Sequence, residues 1–494
     1  MRHEVATESG LISGMSTGDS ALVAFKGIPF AAPPIGNLRW QPPQPALKWE
    51  GVKACTDFGP SPMQPTPAPF GVYTPEFLVP AEPISEDCLY LNVWTGAKSS
   101  SEKRPVFVWL YGGAFSSGGS AVPIYDGEAL ARKGVIFVSI NYRVGIFGFF
   151  AHPDLSKESS TKTSGNYGLL DQIAALQWIQ RNIAAFGGDP LNVTIAGQSA
   201  GSRSVNCLLA SPLAWGLFHK AIAESGSSVL ANSTINTTSL LKAEEQGVTV
   251  ATALHASSPD KLRAIPAQEL LQQVQERFGP IVDGYVLPQS IATIFGSGEQ
   301  AKVPLLTGWN ADDGGAPTDR KQDEFRRDLQ RQYGAFADDV LRYYPASTDE
   351  QAGASQAALH RDLTYALPTY KLAQMQSEAG KSPVYVYHFA HKPPATGNFL
   401  QYGAFHTAEV AYALNNLAFL KRPWQAIDRE LANQLSSYWV NFAKTGNPNG
   451  SNLPQWPSYT ATNADIMLFG DKPIAQKLLG NEVLDFLYSK TISH

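Results

Sequence analysis

The stretch Asn192-Val193-Thr194-Ile195-Ala196-Gly197-Gln198-Ser199-Ala200-Gly201 constrains this chain more than any other. β-Branched residues run as a strand, stop at a glycine, and reverse through Ser199 into a small-residue helix start. That is the G-x-S-x-G pattern of a strained strand-to-helix turn. Its two glycines let strand and helix approach closely, and the turn pushes the serine hydroxyl out at the strand end. Three fixed positions are a weak pattern in a chain with 42 glycines, so context decides. Gly59-Pro60-Ser61 and Gly353-Ala354-Ser355 begin the same way but lack the second glycine and the preceding strand. Only Ser199 has both.

The neighbourhood of that turn predicts the fold class. Residues 105–110 and 135–140 are short continuous apolar runs, as buried parallel strands require. From residue 169 to 186, Leu169, Ile173, Leu176, Ile179 and Ile183 recur at helical spacing, and Gly187-Gly188 stops the helix. Strand and helix alternating in this way predict an α/β fold, a mostly parallel central sheet with helices on both faces. Further strands are expected at 86–94, 303–309 and 384–389, and a late helix at 431–442. The Pro- and Gly-rich segment 60–83 reads as a long surface loop. Helical patterns with little strand signal suggest insertions over the active-site edge at about 231–300 and 317–380. A length of 494 residues alone suggests two or three domains. With no internal repeat or charged linker, and candidate site residues spread from 112 to 406, one domain over 1–494 is the expectation.

Composition narrows the partners. A charge of −5 with a pI near 6.0 leaves no basic footprint, which argues against nucleic acid. The three cysteines, Cys55, Cys88 and Cys207, cannot all pair within one chain, and none lies in a C-x-x-C motif; a Cys55–Cys88 bridge and three free thiols both stand. The N-terminus has no apolar signal-peptide core, so a cytoplasmic location is the expectation, with a processed secreted form as its alternative. The most apolar run, 134–151, is broken by Asn141 and Arg143 and falls short of the ~20 residues of a membrane span. Asn192, Asn232 and Asn236 begin N-x-S/T triplets, a pattern frequent by chance.

A serine hydroxyl is a poor nucleophile at neutral pH and needs a nearby imidazole, which in turn needs an acid to fix its tautomer. After an elbow of this kind the acid and then the histidine follow in chain order, each on a loop after a sheet strand. Asn310-Ala311-Asp312-Asp313-Gly314-Gly315 follows the strand at 303–309, and its two carboxylates compete with the reading of a plain solvated turn. Among downstream histidines, His360 falls in a helical pattern and His388 inside a strand, while His494 is terminal. His391 ends a strand and is the runner-up. His406, reached by a loop after what reads as the last strand, is the best placed. Backbone N–H groups for a developing oxyanion are expected from Ala200 and from the glycine-rich Gly112-Gly113-Ala114 after the strand at 105–110.

Together these motifs resemble the type-B carboxylesterase family of the α/β-hydrolases. The resemblance spans nearly the whole chain: Lys26-Gly27-Ile28-Pro29, Gly36-Asn37-Leu38-Arg39, Glu86-Asp87-Cys88-Leu89-Tyr90-Leu91-Asn92, Tyr111-Gly112-Gly113-Ala114-Phe115, Asn141-Tyr142-Arg143-Val144-Gly145, Gly197-Gln198-Ser199-Ala200-Gly201, His406 and Phe442-Ala443-Lys444-Thr445-Gly446-Asn447-Pro448. It implies Ser199 as nucleophile, His406 as general base and acid, and an oxyanion hole of Gly113, Ala114 and Ala200. It also implies Asp313 as the acid, with Asp312 the lesser candidate, although the family usually has Glu there. Aspartate is shorter by one C–C bond, about 1.5 Å, so the loop or His406 must move inward. Gln198 replaces the Glu common before the serine. Met63 stands where the family has the cysteine that pairs with the one at Cys88, so that disulfide is not expected. The absence of tryptophan between Trp49 and Trp94 argues against a cholinesterase.

The expected activity is therefore cofactor-independent and metal-independent hydrolysis of a small-molecule carboxylic ester through an acyl-enzyme. Amide or carbamate cleavage, or lipase action, is the alternative with the same machinery. A non-catalytic binding module, as in the family's adhesion members, is the remote alternative.

Overall fold

The computed structural model describes residues 3–230, 238–380, 382–460 and 462–491. Its centre is an 11-stranded sheet in the order Pro473–Lys477, Asp465–Phe469, Val384–Phe389, Leu305–Asn310, Lys220–Glu224, Gly188–Gln198, Arg104–Leu110, Ile136–Ile140, Tyr90–Thr95, Val23–Pro29 and Met15–Ser16. The run from Asp465–Phe469 to Ile136–Ile140 is parallel, and the pairs outside it are antiparallel. Ile136–Ile140, Lys220–Glu224 and Leu305–Asn310 are buried along their whole length. Burial is why Arg104–Leu110 and Ile136–Ile140 read as near-continuous apolar runs rather than as alternating ones.

Most expected elements are present with small shifts at their ends. The strand at 105–110 begins at Arg104, and the one at 384–389 is Val384–Phe389. The helix Tyr167–Asn182 runs on through a tighter turn, Ile183–Phe186, and stops at Gly187, whose φ of 83° suits a residue without Cβ. The late helix extends to Ala426–Thr445. Segment 60–83 is mostly irregular, with one short turn at Pro75–Phe77 and a two-residue pairing of Ser61–Pro62 with Ile84–Ser85. The expectation that His406 follows the last strand is corrected, because Asp465–Phe469 and Pro473–Lys477 extend the sheet beyond it. The outer of these is an edge strand, exposed over most of its length, so its sequence carries no buried stripe to read.

Both helical segments reach the region of the turn at Ser199. The first contains Leu240–Ala253, Pro259–Ala264, Ala267–Gln273 and Ile291–Gly296, and its Gly279 approaches Phe115. The second contains Gln322–Tyr333, Ala337–Tyr343, Asp349–Arg361 and Leu367–Ala379, the last two joined by a π-helical turn at Asp362–Ala366. Asn232 and Asn236 lie outside the described residues. Asn192 is in the sheet, its amide donating to the Lys444 carbonyl at 3.2 Å. All three cysteines are free and buried. Met63 and Cys88 line one small crevice, consistent with a methionine in the place of a pairing cysteine.

The turn itself is set by crowding. Gly188–Gln198 is a central strand, and Ser199 caps the helix Ala200–Ala210 at φ 59° and ψ −120°, a strained conformation for a residue with a side chain. A Cβ on Gly197 would lie 2.6 Å from the Gly201 carbonyl carbon and 2.7 Å from the Leu110 oxygen, and one on Gly201 would collide with the Leu110 carbonyl. Strand and helix can cross here only as glycines. Gly201→Ala is expected to cost about 1–3 kcal/mol or more through overpacking against backbone, read as a lowered midpoint in denaturant unfolding.

Candidate active site

Ser199 is partly exposed at the end of its strand, with its N–H held by the Glu224 carbonyl at 2.9 Å. Its hydroxyl makes no hydrogen bond to a described residue and is free to rotate. The adjacent parallel strand, Lys220–Glu224, is followed by Ser225, also at positive φ.

The doublet after Leu305–Asn310 divides its work. Asp313 is buried, and its Oδ1 lies 2.8 Å from His406 Nδ1. Its Oδ2 accepts from the Asn310 N–H at 2.7 Å and from Ser225 Oγ at 2.9 Å. Asp312 instead accepts the Ala404 N–H at 2.7 Å and donates its own N–H to the Ala404 carbonyl at 3.1 Å. Asn310 Nδ2 adds a bond to the Phe405 carbonyl at 2.8 Å. These bonds sew the acid loop to the histidine loop, which is how the short Asp313 side chain reaches the imidazole.

His406 is enclosed on several sides. Tyr365, on the π-helical turn, lies 4.6 Å away between ring centroids. Gln198 Nε2 is 3.4 Å from Nδ1 and 3.2 Å from Nε2 of the ring, so the amide sits over the imidazole face. Tyr73, from the Pro-rich loop, donates to the His406 carbonyl at 2.9 Å.

The other histidines do different work. His391 bridges Asp471 and Asp428, each at 2.9 Å, at the start of the late helix. His388 is inside a strand, where burial pushes its pKa down to about 4. His360 is at the rim, its Nδ1 3.2 Å from Thr364 Oγ1.

Gly113 and Ala114 are exposed at φ 116° and 55°, in a turn closed by the Ser116 and Ser117 N–H groups on the Gly113 carbonyl. Among the described residues nothing accepts from the N–H groups of Gly113 and Ala114. Ala200 opens its helix, where an N–H has no intrahelical acceptor. These donors can serve an oxyanion.

Comparison with known proteins supplies the family. The profile of the Carboxylesterase family matches residues 2–487. The chain belongs to the carboxylesterase family. It is 38% identical to fumonisin B1 esterase of Sphingopyxis macrogoltabida over 94% of this chain and 86% of that one. It is 36% identical to para-nitrobenzyl esterase of Bacillus subtilis over 95% of each chain, and 33% identical to liver carboxylesterase 1 of Oryctolagus cuniculus over 94% and 88%. This carboxylesterase has the α/β-hydrolase fold and hydrolyses carboxylic esters, with a small-molecule ester as substrate. No helix among the described residues is long and apolar enough to cross a membrane.

Several residues around the site of this carboxylesterase were not singled out by sequence reasoning. Ser225 and Tyr365 are two of them, and neither belongs to a motif that marks it. Two buried glutamates are further cases. Glu224 accepts from Trp439 Nε1 at 2.6 Å, and Glu409 accepts from Asn310 Nδ2. The other carboxylate oxygen of each has no partner among the described residues. Burial pushes Glu224 up to about 8, opposed by the Trp439 bond. Burial, then the charges of Glu224 and Asp313, push Glu409 well above the usual carboxylate range. Keeping these acids protonated confines the buried negative charge to Asp313. The signal available in sequence was only Glu224-Ser225-Gly226 after a strand and Glu409 three residues past His406.

Two predictions follow from these electrostatics. In Gln198→Glu a carboxylate replaces the amide over the ring and favours the imidazolium. Because the neutral imidazole is the form that accepts a proton, the acidic limb of the kcat/KM profile moves to higher pH. Glu224 is raised in the fold, so the unfolded chain ionises first, and stability falls as pH climbs from about 4.5 toward about 8. Glu224→Gln removes this titration while keeping an acceptor for Trp439. Its Tm relative to wild type is expected to rise between pH 5 and 8, as followed by thermal unfolding.

Proposed function

We propose that Ser199 is the nucleophile of this esterase, His406 its general base and acid, and Asp313 the residue that orients His406. Gly113, Ala114 and Ala200 then supply the oxyanion donors. What carries the reading is the 2.8 Å bond from His406 Nδ1 to a buried, fully bonded Asp313. That bond fixes the proton on Nδ1 and leaves Nε2 as the acceptor, beside the strained turn that presents Ser199. The unclaimed N–H groups opposite complete the requirement for acyl transfer.

The steps balance without a cofactor. Ser199 Oγ bonds to the ester carbonyl carbon as its proton passes to Nε2, and the carbonyl oxygen takes the negative charge. Collapse breaks the bond to the leaving alcohol, which receives the proton from Nε2. A water molecule then gives one proton to Nε2 as its oxygen bonds to the acyl carbon, and collapse breaks the bond to Ser199 Oγ, which takes the proton back from Nε2 as the acid departs. Before attack, Ser199 Oγ must rotate toward the imidazole, a tightening common when substrate enters a resting site. Because these residues come from segments as far apart as 113 and 406, we read the whole chain as one domain with helical insertions. Three buried, unpaired thiols support a cytoplasmic location.

With p-nitrophenyl butyrate, Ser199→Ala is expected to lower kcat by about 10³-fold or more, and Asp313→Asn by about 10³–10⁴-fold through the wrong tautomer. An organophosphate should add its mass to the Ser199 peptide of wild type alone. Comparable turnover in wild type and Ser199→Ala would overturn the assignment.

A further inference from the structure

Arg203 is one turn beyond Ser199 on the helix Ala200–Ala210, its N–H bonded to the Ser199 carbonyl at 3.0 Å. Every other residue of that helix is buried, whereas Arg203 is only partly so. Its guanidinium has no hydrogen bond or ion pair to any described residue. Arg39, Arg143, Arg263 and Arg361 are matched to Glu86, Asp171, Glu158 and Asp362, whereas the partly buried Arg422 donates to the Pro394 carbonyl. Arg143 Nη1 is sealed from solvent without a partner, whereas no nitrogen of Arg203 is, so the unpaired guanidinium stands open to an incoming anion.

The surroundings place this cation beside the reaction. Burial lowers the pKa of Arg203, and the groups that oppose this are the Tyr365 phenol and the Cys207 thiol, with no carboxylate among them. Tyr365 in turn feels Asp313 and Arg203, and its ring packs on His406. His360, from the same helical segment, feels the charge of His406. Arg203, Tyr365 and His360 therefore gather on the His406 side of the site. The nearby acids are already committed. Asp313 holds His406, Asp312 holds Ala404, Asp362 holds Arg361 and Tyr344, and Glu224 and Glu409 are buried behind the sheet edge with raised pKa values.

Resting on the assignment of Ser199 and His406 above, we propose that Arg203 is a specificity-determining residue that selects esters bearing a carboxylate a few bonds from the scissile carbonyl. The helical rise from Ser199 to Arg203 is about 6 Å, which suits a carboxylate three to five bonds from the carbonyl carbon. A charge-assisted, two-pronged pairing of guanidinium and carboxylate is worth roughly tenfold to a hundredfold in kcat/KM.

The test is a ratio of kcat/KM values, anionic ester over neutral isostere, measured by pH-stat. One arm puts the carboxylate on the acyl side, monoethyl glutarate against ethyl valerate. The other puts it on the alcohol side, 4-acetoxybutyrate against butyl acetate. In at least one arm Arg203→Met should lower the ratio about tenfold or more, mainly through KM, and Arg203→Lys should retain part of it. Neutral-ester turnover reports that each variant is folded, and Arg203→Gln replaces Arg203→Met where that turnover is lost. Ratios unchanged in both arms would overturn the role of Arg203 and leave the assignment of Ser199 intact. Neutral turnover independent of Ser199 would instead overturn that assignment.

Discussion

The hydrogen bond between Asp313 and His406 depends on how completely the rest of the carboxylate is occupied. A buried carboxylate is tolerated only when its lone pairs are met. Here Oδ2 is taken by the Asn310 N–H and the Ser225 hydroxyl, which leaves Oδ1 for the imidazole. Each of these donors stands at the end of a parallel strand, so the register of the sheet is what aims the carboxylate. The Asp312 and Asn310 bonds to Ala404 and Phe405 then bring the histidine loop to it. The geometry is thus a property of the sheet edge as a whole, not of two side chains.

That dependence explains what sequence could and could not show. The turn at Ser199 was legible because its constraint is local: Gly197 and Gly201 are small since the Leu110 backbone is close to both. The strand Arg104–Leu110 and the helix Tyr167–Asn182 were legible because burial stamps a period on them. The choice between Asp312 and Asp313 was not legible from local pattern. It turns on the pairing of Asp312 with Phe405, between residues far apart in the chain. Ser225, Glu224 and Glu409 were missed for the same reason, since their partners come from other strands and helices. The strands past residue 464 were missed because one is a short run and the other an exposed edge.

Charge around the site is arranged in layers. Glu224 and Glu409 lie buried near Asp313, and burial raises both pKa values, helped at Glu409 by the charges of Glu224 and Asp313. On the accessible side, Arg203 is a cation with no ion-pair partner among the described residues. Under the roles proposed for Arg203 and His406, a substrate meets the positive side while the imidazolium is stabilised from the negative one. The neutral amide of Gln198 separates these layers without adding to either.

The crevice shared by Met63 and Cys88 has a consequence for the Pro-rich loop. With no covalent clasp, the loop is anchored by the Tyr73 hydroxyl on the His406 carbonyl and by the edges of Tyr73 and Phe77 against Phe405. Its docking and the seating of His406 are consequently tied together. A change that frees Tyr73 therefore removes a tie from the histidine as well, so the order of this uncrosslinked loop and that of residue 406 rise and fall together.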